Sequence, residues 1–480
     1  MNEPKKITGN LFYLLLGGAI ATLLEFFTEV TLARRLSDEG YGRWAYVQSI
    51  IIYLIIIMDT GLAVYGAREI ARFRERAGEL IINILAIKSL LMLLIITIFA
   101  VIIIMLDFTP EMKIVYIGGS LLLVSQALNP EFIFQGYEKM AGIALWRILN
   151  FLFYFTFVYI LVKDRSSLVA VPFYKAGGGI ISLVILWLIL KHIIALPKKT
   201  ALNIGLWTGY LKVSVIMALS FVIINVYHTF DTIMLGIMMT PEVVGWYNAA
   251  YKVILQFVGL AIVAQVVFGP VFSRLRDNAY KLSATLNNFT LLLIFSAGLF
   301  CGLLFLMSDQ VILLLFKVTY TNAIGILRLL SISLFFVFIH FIFTTPLLYC
   351  GYEKAYLACV FSGAFVNIGL NYLFIPHFGY TGAAVATIIS NVVIGVMGIY
   401  FLKSRMLISN HVYKTIAYIT IITTVLTAGL WFGKLSFPVA GIVYTVLFIT
   451  IIVLLYGDLL WNLLQNLFIK SRRCTGQVEG

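Results

Sequence analysis

Residues 81–106 read IINILAIKSLLMLLIITIFAVIIIML, an apolar run that contains one charged residue, Lys88. An α-helix of this length crosses the roughly 30 Å hydrocarbon core of a bilayer. Similar runs recur along the chain, so that 62% of its 480 residues are apolar and 11% are charged. Because soluble domains carry about 25% charged residues, this composition excludes a soluble globular fold. The sequence therefore predicts an all-α polytopic membrane protein.

Short polar loops separate the apolar runs and predict about fourteen transmembrane helices. The predicted spans are residues 8–33, 43–64, 81–106, 112–134, 141–162, 168–190, 207–236, 244–269, 286–307, 322–349, 355–375, 380–402, 412–432 and 437–462.

Lys and Arg residues concentrate at the two termini and in every second loop, which by the positive-inside rule places both termini in the cytoplasm. We therefore interpret the net charge of +13 as an orientation signal, and expect no nucleic-acid partner. The four cysteines lack the paired spacing of a metal or redox site, so the sequence predicts no metal and no cofactor.

An internal repeat organises the chain. Residues 136–139 (GYEK) recur as residues 351–354, and residues 37–42 align without gaps onto residues 240–245 at a shift of 203. Six predicted spans separate the copies, so both copies have the same orientation in the membrane. We expect two six-helix lobes related by a pseudo-two-fold axis along the membrane normal. The predicted domains are a first lobe (1–190), a cytoplasmic linker (191–206), a second lobe (207–405), and two additional helices with a cytoplasmic tail (406–480).

Several local motifs resemble the oligosaccharide flippases of polysaccharide biosynthesis, which are relatives of the multidrug and toxic compound extrusion transporters and of the lipid II flippases. The resemblance covers most of the chain. The matching segments are ARRLS (33–37), GYG (40–42), GAREIAR (66–72), Asp231 with MLG (234–236), VGWYNAAYK (244–252), NIGLNY (367–372), IP (375–376) and GYTGAA (379–384).

This resemblance implies a flippase that moves a lipid-diphosphate-linked oligosaccharide from the inner to the outer leaflet of a cell membrane, by alternating access through a basic central cavity. It implies no enzymatic activity. The implied partners are the lipid-linked oligosaccharide, membrane lipid, and a polysaccharide polymerase or glycosyltransferases.

Five cations fall inside predicted spans, where an isolated charge costs about 2.5–3.5 kcal/mol on insertion scales. As a group they fit a basic cavity for the diphosphate, while individually each one also fits snorkelling or a structural ion pair. Asp59, near the cytoplasmic end of the second span, is expected to pair with Arg68 or Arg72. The five predicted substrate-binding cations are Lys88, Arg147, Lys175, Lys252 and Arg328.

Four titratable residues occupy matching places in the two lobes. Glu25 and Glu29 share one face of the first span, and under the shift of 203 Glu25 aligns with His228, which shares a face with Asp231. One interpretation is a proton or cation coupling or gating site, or a ring of groups that binds sugar hydroxyls. The other is a lock in which Glu25 or Glu29 pairs with a nearby Lys or Arg between the lobes.

Two other function classes fit the sequence less well than a flippase. A cation-coupled exporter of drugs would need an acidic cavity, which five intramembrane cations disfavour. A membrane glycosyltransferase or polymerase would need a catalytic loop with clustered carboxylates, and the predicted outward loops are short and lack an Asp-x-Asp pattern. The chain also lacks a nucleotide-binding loop, which disfavours direct use of ATP.

Overall fold

The computed structural model describes the backbone of residues 3–193, 202–404, 408–433 and 436–476, and their side chains except those of residues 3–8, 11–12, 216–228, 437 and 458–476. All regular structure in these ranges is helical. The helices are α1 (Glu3–Asp59), α2 (Leu62–Arg72), α3 (Ala77–Met105), α4 (Pro110–Ser120), α5 (Leu122–Ala127), α6 (Glu131–Gly136), α7 (Met140–Leu161), α8 (Val171–Ile193), α9 (Trp207–Met238), α10 (Pro241–Leu275), α11 (Ala279–Leu306), α12 (Ser308–Phe316), α13 (Ala323–Tyr349), α14 (Glu353–Lys403), α15 (Asn410–Phe432) and α16 (Phe437–Gly476). Short 3₁₀ turns occupy Arg74–Arg76, Arg165–Ala170, Ile204–Leu206 and Val318–Tyr320.

Within the described ranges, 11 helical segments are long and apolar enough to cross a membrane. Two of them, in α1 and α14, each cover two of the predicted spans. The prediction of an all-α, multi-pass membrane protein is confirmed, whereas the predicted number of fourteen spans stays a prediction.

The long helices α1 and α14 each contain one non-helical residue. In α1 this residue is Ser37, with φ 64°, and in α14 it is Gly379, with φ 57°. Pro376, three residues before Gly379, lacks a backbone N–H, and glycine adopts a positive φ at no steric cost. Both breaks fall where the sequence predicts a loop between two spans.

The predicted span at 112–134 is itself discontinuous. It consists of α4, α5 and α6, with breaks at Leu121 and at residues 128–130. The indole nitrogen of Trp187 donates a hydrogen bond to the Leu128 carbonyl at 3.0 Å. This bond satisfies a carbonyl at the break, which at membrane depth would otherwise be costly.

The helices form two compact units. Unit 1 comprises Met1–Lys252, Leu315–Tyr320 and Ile368–Ala383, and unit 2 comprises Val253–Leu314, Thr321–Asn367 and Ala384–Gly480. In unit 1, helices α2, α3, α6, α7 and α8 contribute to a core that contains Ile84, Phe132 and Trp146. The predicted lobe boundaries at residues 190, 207 and 405 stay a prediction.

In unit 2, helix α11 packs against α13, α15 and α16. Small residues allow the close approach of α16, because Gly298 lies against the Phe448 ring and Gly302 against the Tyr444 ring. The Tyr444 hydroxyl also donates a hydrogen bond to the Gly298 carbonyl at 2.6 Å. The two predicted additional helices are therefore packed parts of unit 2.

Candidate functional site

An ion pair lies deep in unit 1, between α1 and α10. The Lys252 ammonium is 3.2 Å from Glu25 Oε1 and 3.8 Å from Glu29 Oε1. Glu25 and Glu29 are one helical turn apart, so both carboxylates reach the same lysine. This contact is the one that the lock interpretation of the two glutamates requires.

The two carboxylates differ in their surroundings. The Glu29 side chain is 2% exposed, and it accepts hydrogen bonds from the Tyr41 hydroxyl at 3.1 Å and from Gln48 Nε2 at 3.4 Å. The Glu25 side chain is 36% exposed. Because a buried carboxylate is stable only when it is paired and hydrogen-bonded, Glu29 is the fixed partner of Lys252 and Glu25 the accessible one.

Lys175 of α8 contacts aromatic rings. Its ammonium lies 5.8 Å from the ring centroid of Trp44 and 5.3 Å from that of Tyr154. Contacts of this kind stabilise a partly desolvated cation by about 0.5–2 kcal/mol. Lys175 thus lies half-buried in unit 1 against two ring faces.

Asp231 of α9 is the centre of a second polar cluster in unit 1. It is 5% exposed, and it accepts hydrogen bonds from the Tyr247 hydroxyl at 2.7 Å and from Asn371 Nδ2 at 2.5 Å. The carboxylate therefore joins α9 to α10 and α14. The side chain of His228, which the sequence groups with Asp231, lies outside the described residues.

Lys88 and Arg147 line one cavity of about 410 Å³ in unit 1. Lys88 is 2.9 Å from Asp59 Oδ1, and Arg147 is 2.9 Å from Glu131 Oε1. The cavity lies on the side of the spans that the positive-inside rule predicts to be cytoplasmic. The two predicted cations are therefore brought together, but each is already paired with a carboxylate.

The expected partner of Asp59 was wrong. Asp59 pairs with Lys88, whereas Arg68 contacts its neighbour Glu69 at 3.2 Å. The physical reason is burial: the Lys88 side chain is 3% exposed and needs a counter-ion, while the Arg68 side chain is 45% exposed and solvated.

Arg328 lies in unit 2. Its guanidinium forms an ion pair with Asp309 of α12 and lies 4.4 Å from the ring centroid of Trp431 in α15. Asp309 and Glu131 were not singled out in the sequence, because each stands at the edge of an apolar run and resembles an ordinary loop carboxylate. Among the described residues, no group of three or more His, Cys, Asp or Glu side chains is placed to hold a metal ion.

Comparison with known proteins gives the family. A model of the family described as "Polysaccharide biosynthesis protein" matches residues 7–276, which is more than half of the chain. The chain belongs to this family. The resemblance inferred from the motifs at 33–42, 66–72 and 244–252 is thereby confirmed.

Relatives with similar sequences align with most of the chain. A putative O-antigen transporter of Escherichia coli (strain K12) is 23% identical over 414 residues, which cover 85% of this chain and 100% of that protein. A probable low-salt glycan biosynthesis flippase, Agl15, of Haloferax volcanii is 24% identical over 466 residues, which cover 92% of this chain and 95% of that protein. The names of these relatives describe transport and no enzymatic activity.

Solved structures share the fold. The lipid II flippase MurJ in its inward closed conformation superimposes with a TM-score of 0.74 at 14% identity, covering 93% of this chain and 99% of that one. An inward-facing multidrug resistance transporter of the MATE family superimposes with a TM-score of 0.62 at 17% identity, covering 80% and 94%. At these identities the likeness establishes the fold and nothing further.

Proposed function

We propose that this protein is a flippase that moves a lipid-diphosphate-linked oligosaccharide from the inner to the outer leaflet of the cell membrane for polysaccharide biosynthesis. The observation that carries the proposal is the placement of Lys175 and Lys252 inside membrane spans of one unit, beside Glu25 and Glu29. The names of the relatives, an O-antigen transporter and a glycan flippase, support it.

The two lysines suit an anionic diphosphate. Ammonium groups form charge-assisted hydrogen bonds to phosphate oxygens, and such bonds are roughly twice as strong as neutral ones. Lys175 contacts two ring faces and also interacts electrostatically with Glu25 and Glu29, so an incoming anion would compete with these carboxylates for its charge. The contacts of Lys252 with its carboxylates, at 3.2 and 3.8 Å, are longer than those of Lys88 and Arg147.

Binding would proceed by exchange of ionic partners. The incoming diphosphate displaces Glu25, which is 36% exposed, from Lys252, while Glu29 stays in place because Tyr41 and Gln48 hold it. In the empty protein Glu25 keeps the lysine neutralised, so no unpaired charge is left in the membrane. Glu25 and Glu29 thus act as gating residues in this proposal.

Contacts at the predicted outward ends of the spans form an outer gate in an alternating-access cycle. The Trp246 indole donates a hydrogen bond to Asp38 at 2.9 Å. The Tyr320 hydroxyl lies 3.0 Å from the Ala33 carbonyl and 3.1 Å from the carbonyl of Ser37, the residue at the break in α1. In the proposal these bonds break when the loaded site opens outward. The proposal also places both termini in the cytoplasm. It includes a polysaccharide polymerase or glycosyltransferases as partners of this protein.

The test is headgroup translocation in proteoliposomes that contain a polyprenyl-diphosphate oligosaccharide. We expect wild type to move the headgroup across the bilayer, and Lys252→Met and Lys175→Met to move it at least about tenfold more slowly, the loss that corresponds to 1.4 kcal/mol. Lys281→Met, which removes one exposed lysine of α11, is the matched control. Unimpaired transport by both site variants would overturn the assignment of the lysines, and an inactive wild type would overturn the function.

A cation-coupled multidrug-type exporter is the second candidate function. The buried Asp231 carboxylate favours it, because a carboxylate at membrane depth suits a cation, and the shared fold of the MATE transporters agrees with it. Export of a cationic dye under a sodium or proton gradient, without transport of the lipid-linked oligosaccharide, would replace the flippase proposal.

A further inference from the structure

The cavity that Lys88 and Arg147 line is bounded by two breaks in helical structure. One is the Thr60–Gly61 link between α1 and α2, where φ is 44° and 76°. The other is the break at residues 128–130 between α5 and α6. Thr60 in the left-handed region is a strained conformation for a residue with a branched side chain. In transporters, interrupted helices at membrane depth line substrate cavities.

The cavity offers hydrogen-bonding groups on several sides. Gln126, Asn129 and Gln135 line it together with the two ion pairs. Asn129 is tied to the α6 carboxylate: its Oδ1 accepts from the Glu131 amide at 3.0 Å, and its Nδ2 donates to Glu131 Oε2 at 3.4 Å. The volume of about 410 Å³ falls within the roughly 300–1,000 Å³ of small-molecule sites.

The charges of the cavity cancel in pairs. Lys88 and Asp59 are 2.9 Å apart, as are Arg147 and Glu131. An anion that enters would approach both carboxylates or would have to displace them from Lys88 and Arg147, and the Lys88 side chain is 3% exposed. A hydroxyl group both donates and accepts hydrogen bonds, so it can bond to a carboxylate and to a guanidinium while the ion pairs remain. The chemistry favours a neutral, hydroxyl-rich ligand.

We propose that this cavity binds a neutral sugar ring of the lipid-linked headgroup on the cytoplasmic side, apart from the lysines that take the diphosphate. This inference rests on the proposed function, because the sugar is part of the substrate that the flippase transports. Arg147 and Glu131 present planar groups to neighbouring hydroxyls, and Gln126 and Gln135 supply further donors and acceptors. The buried Lys88 and its partner Asp59 form an ion pair in the wall of the same cavity.

The experiment measures how fast a thiol in the cavity reacts. Gln126→Cys is made in the full-length chain with Cys474→Ser, while the described cysteines Cys301, Cys350 and Cys359 are buried. Membrane vesicles are treated with a small maleimide in the presence of neutral methyl glycosides (hexoses, 6-deoxyhexoses and N-acetylhexosamines) or of inorganic pyrophosphate. Gln135→Cys, which lines the same cavity and is exposed, serves if the first variant does not fold.

We expect at least one sugar to slow labelling roughly threefold when it is present at about twice its dissociation constant, since protection scales as one plus ligand over dissociation constant. Pyrophosphate should give no protection. Ser283→Cys, in a different cavity of unit 2, is the matched control and should label at the same rate with and without sugar.

Each outcome of the labelling experiment either supports or contradicts the sugar site. Protection by no sugar of the panel, equal protection by pyrophosphate, or equal protection at Ser283→Cys would overturn the sugar site. Because labelling needs no transport, the result is separate from the flippase test: sugar protection in a chain that moves no lipid-linked oligosaccharide would contradict the proposed function alone. Translocation without protection would contradict the sugar site alone.

Discussion

Gly42 of α1 and Gly245 of α10 hold equivalent positions in the sequence repeat. Each glycine packs against the segment of chain that contains the other. A Cβ atom at Gly42 would overlap the carbonyl oxygen of Pro241, and one at Gly245 would overlap the carbonyl oxygen of Asp38. Asp38 and Pro241 are themselves related by the same shift of 203 residues. The two contacts are therefore reciprocal, which is the pattern that a two-fold axis between the segments produces.

Alanine at either glycine should push the two segments apart. Overpacking typically costs about 1–3 kcal/mol, so in the proposed alternating-access cycle the population of the outward-closed form should fall roughly fivefold or more relative to the outward-open form. The Trp246–Asp38 hydrogen bond lies in the same contact. We expect Gly42→Ala and Gly245→Ala to speed the labelling of Gln48→Cys by an impermeant thiol reagent added outside.

The control for this prediction is Gly18→Ala, at an α1 position where a Cβ atom meets nothing within 4 Å. It should leave the labelling rate unchanged. A rate that rises equally in Gly18→Ala, or that stays at the wild-type value in both test variants, would show that the close glycine contact does not hold the outward end closed.

Neutralising the two glutamates should have unequal effects on stability. Glu29→Gln removes a carboxylate that is 2% exposed and hydrogen-bonded, so we expect the free energy of unfolding to fall by about 3 kcal/mol. Glu25→Gln removes the 36% exposed partner and should cost about 1 kcal/mol or less. Thermal unfolding in detergent measures both. A larger loss in Glu25→Gln would invert the assignment of fixed and accessible partners.

Arg328→Lys tests whether the unit 2 arginine is structural. Lysine keeps the charge near Asp309 but loses the planar guanidinium on the Trp431 ring, so we expect a loss of stability of about 1–2 kcal/mol. Translocation per folded molecule should stay near the wild-type rate. Arg276→Lys, at an arginine 57% exposed beside Asp277, is the matched control and should change neither quantity. Full stability with abolished translocation would instead assign Arg328 to the substrate.

The helices could be predicted because lipid forces the backbone of each span to satisfy its own hydrogen bonds. The run at 81–106, for example, corresponds to α3, Ala77–Met105. The division of the 112–134 run into α4, α5 and α6 could not be predicted from hydropathy, because the segment as a whole is still long and apolar enough to cross a membrane. Asn129 and Pro130 were the only local indication of a break.

The candidate site could be predicted in part. Four-residue spacing placed Glu25 and Glu29 on one face, but their partner Lys252 follows more than 200 residues later and depends on tertiary packing. A charge at membrane depth predicts that a counter-ion exists without saying which one. For that reason Glu131 and Asp309, the partners of two predicted cations, emerged only from the structure.

The role of Asp231 separates the two candidate functions. Asp231→Asn keeps the shape and one acceptor, and the Tyr247 hydroxyl and the Asn371 amide can each reorient to accept from the new amide nitrogen. If the carboxylate only joins helices, we expect Asp231→Asn to retain translocation. Asp231→Leu should then lower the free energy of unfolding by about 1–3 kcal/mol, because it leaves two buried donors unsatisfied. If the negative charge binds a coupling cation, Asp231→Asn should be as inactive as Asp231→Leu while remaining folded. Transport and thermal stability are measured on the same two variants. Only a coupling site predicts that Asp231→Asn loses transport while it keeps its stability.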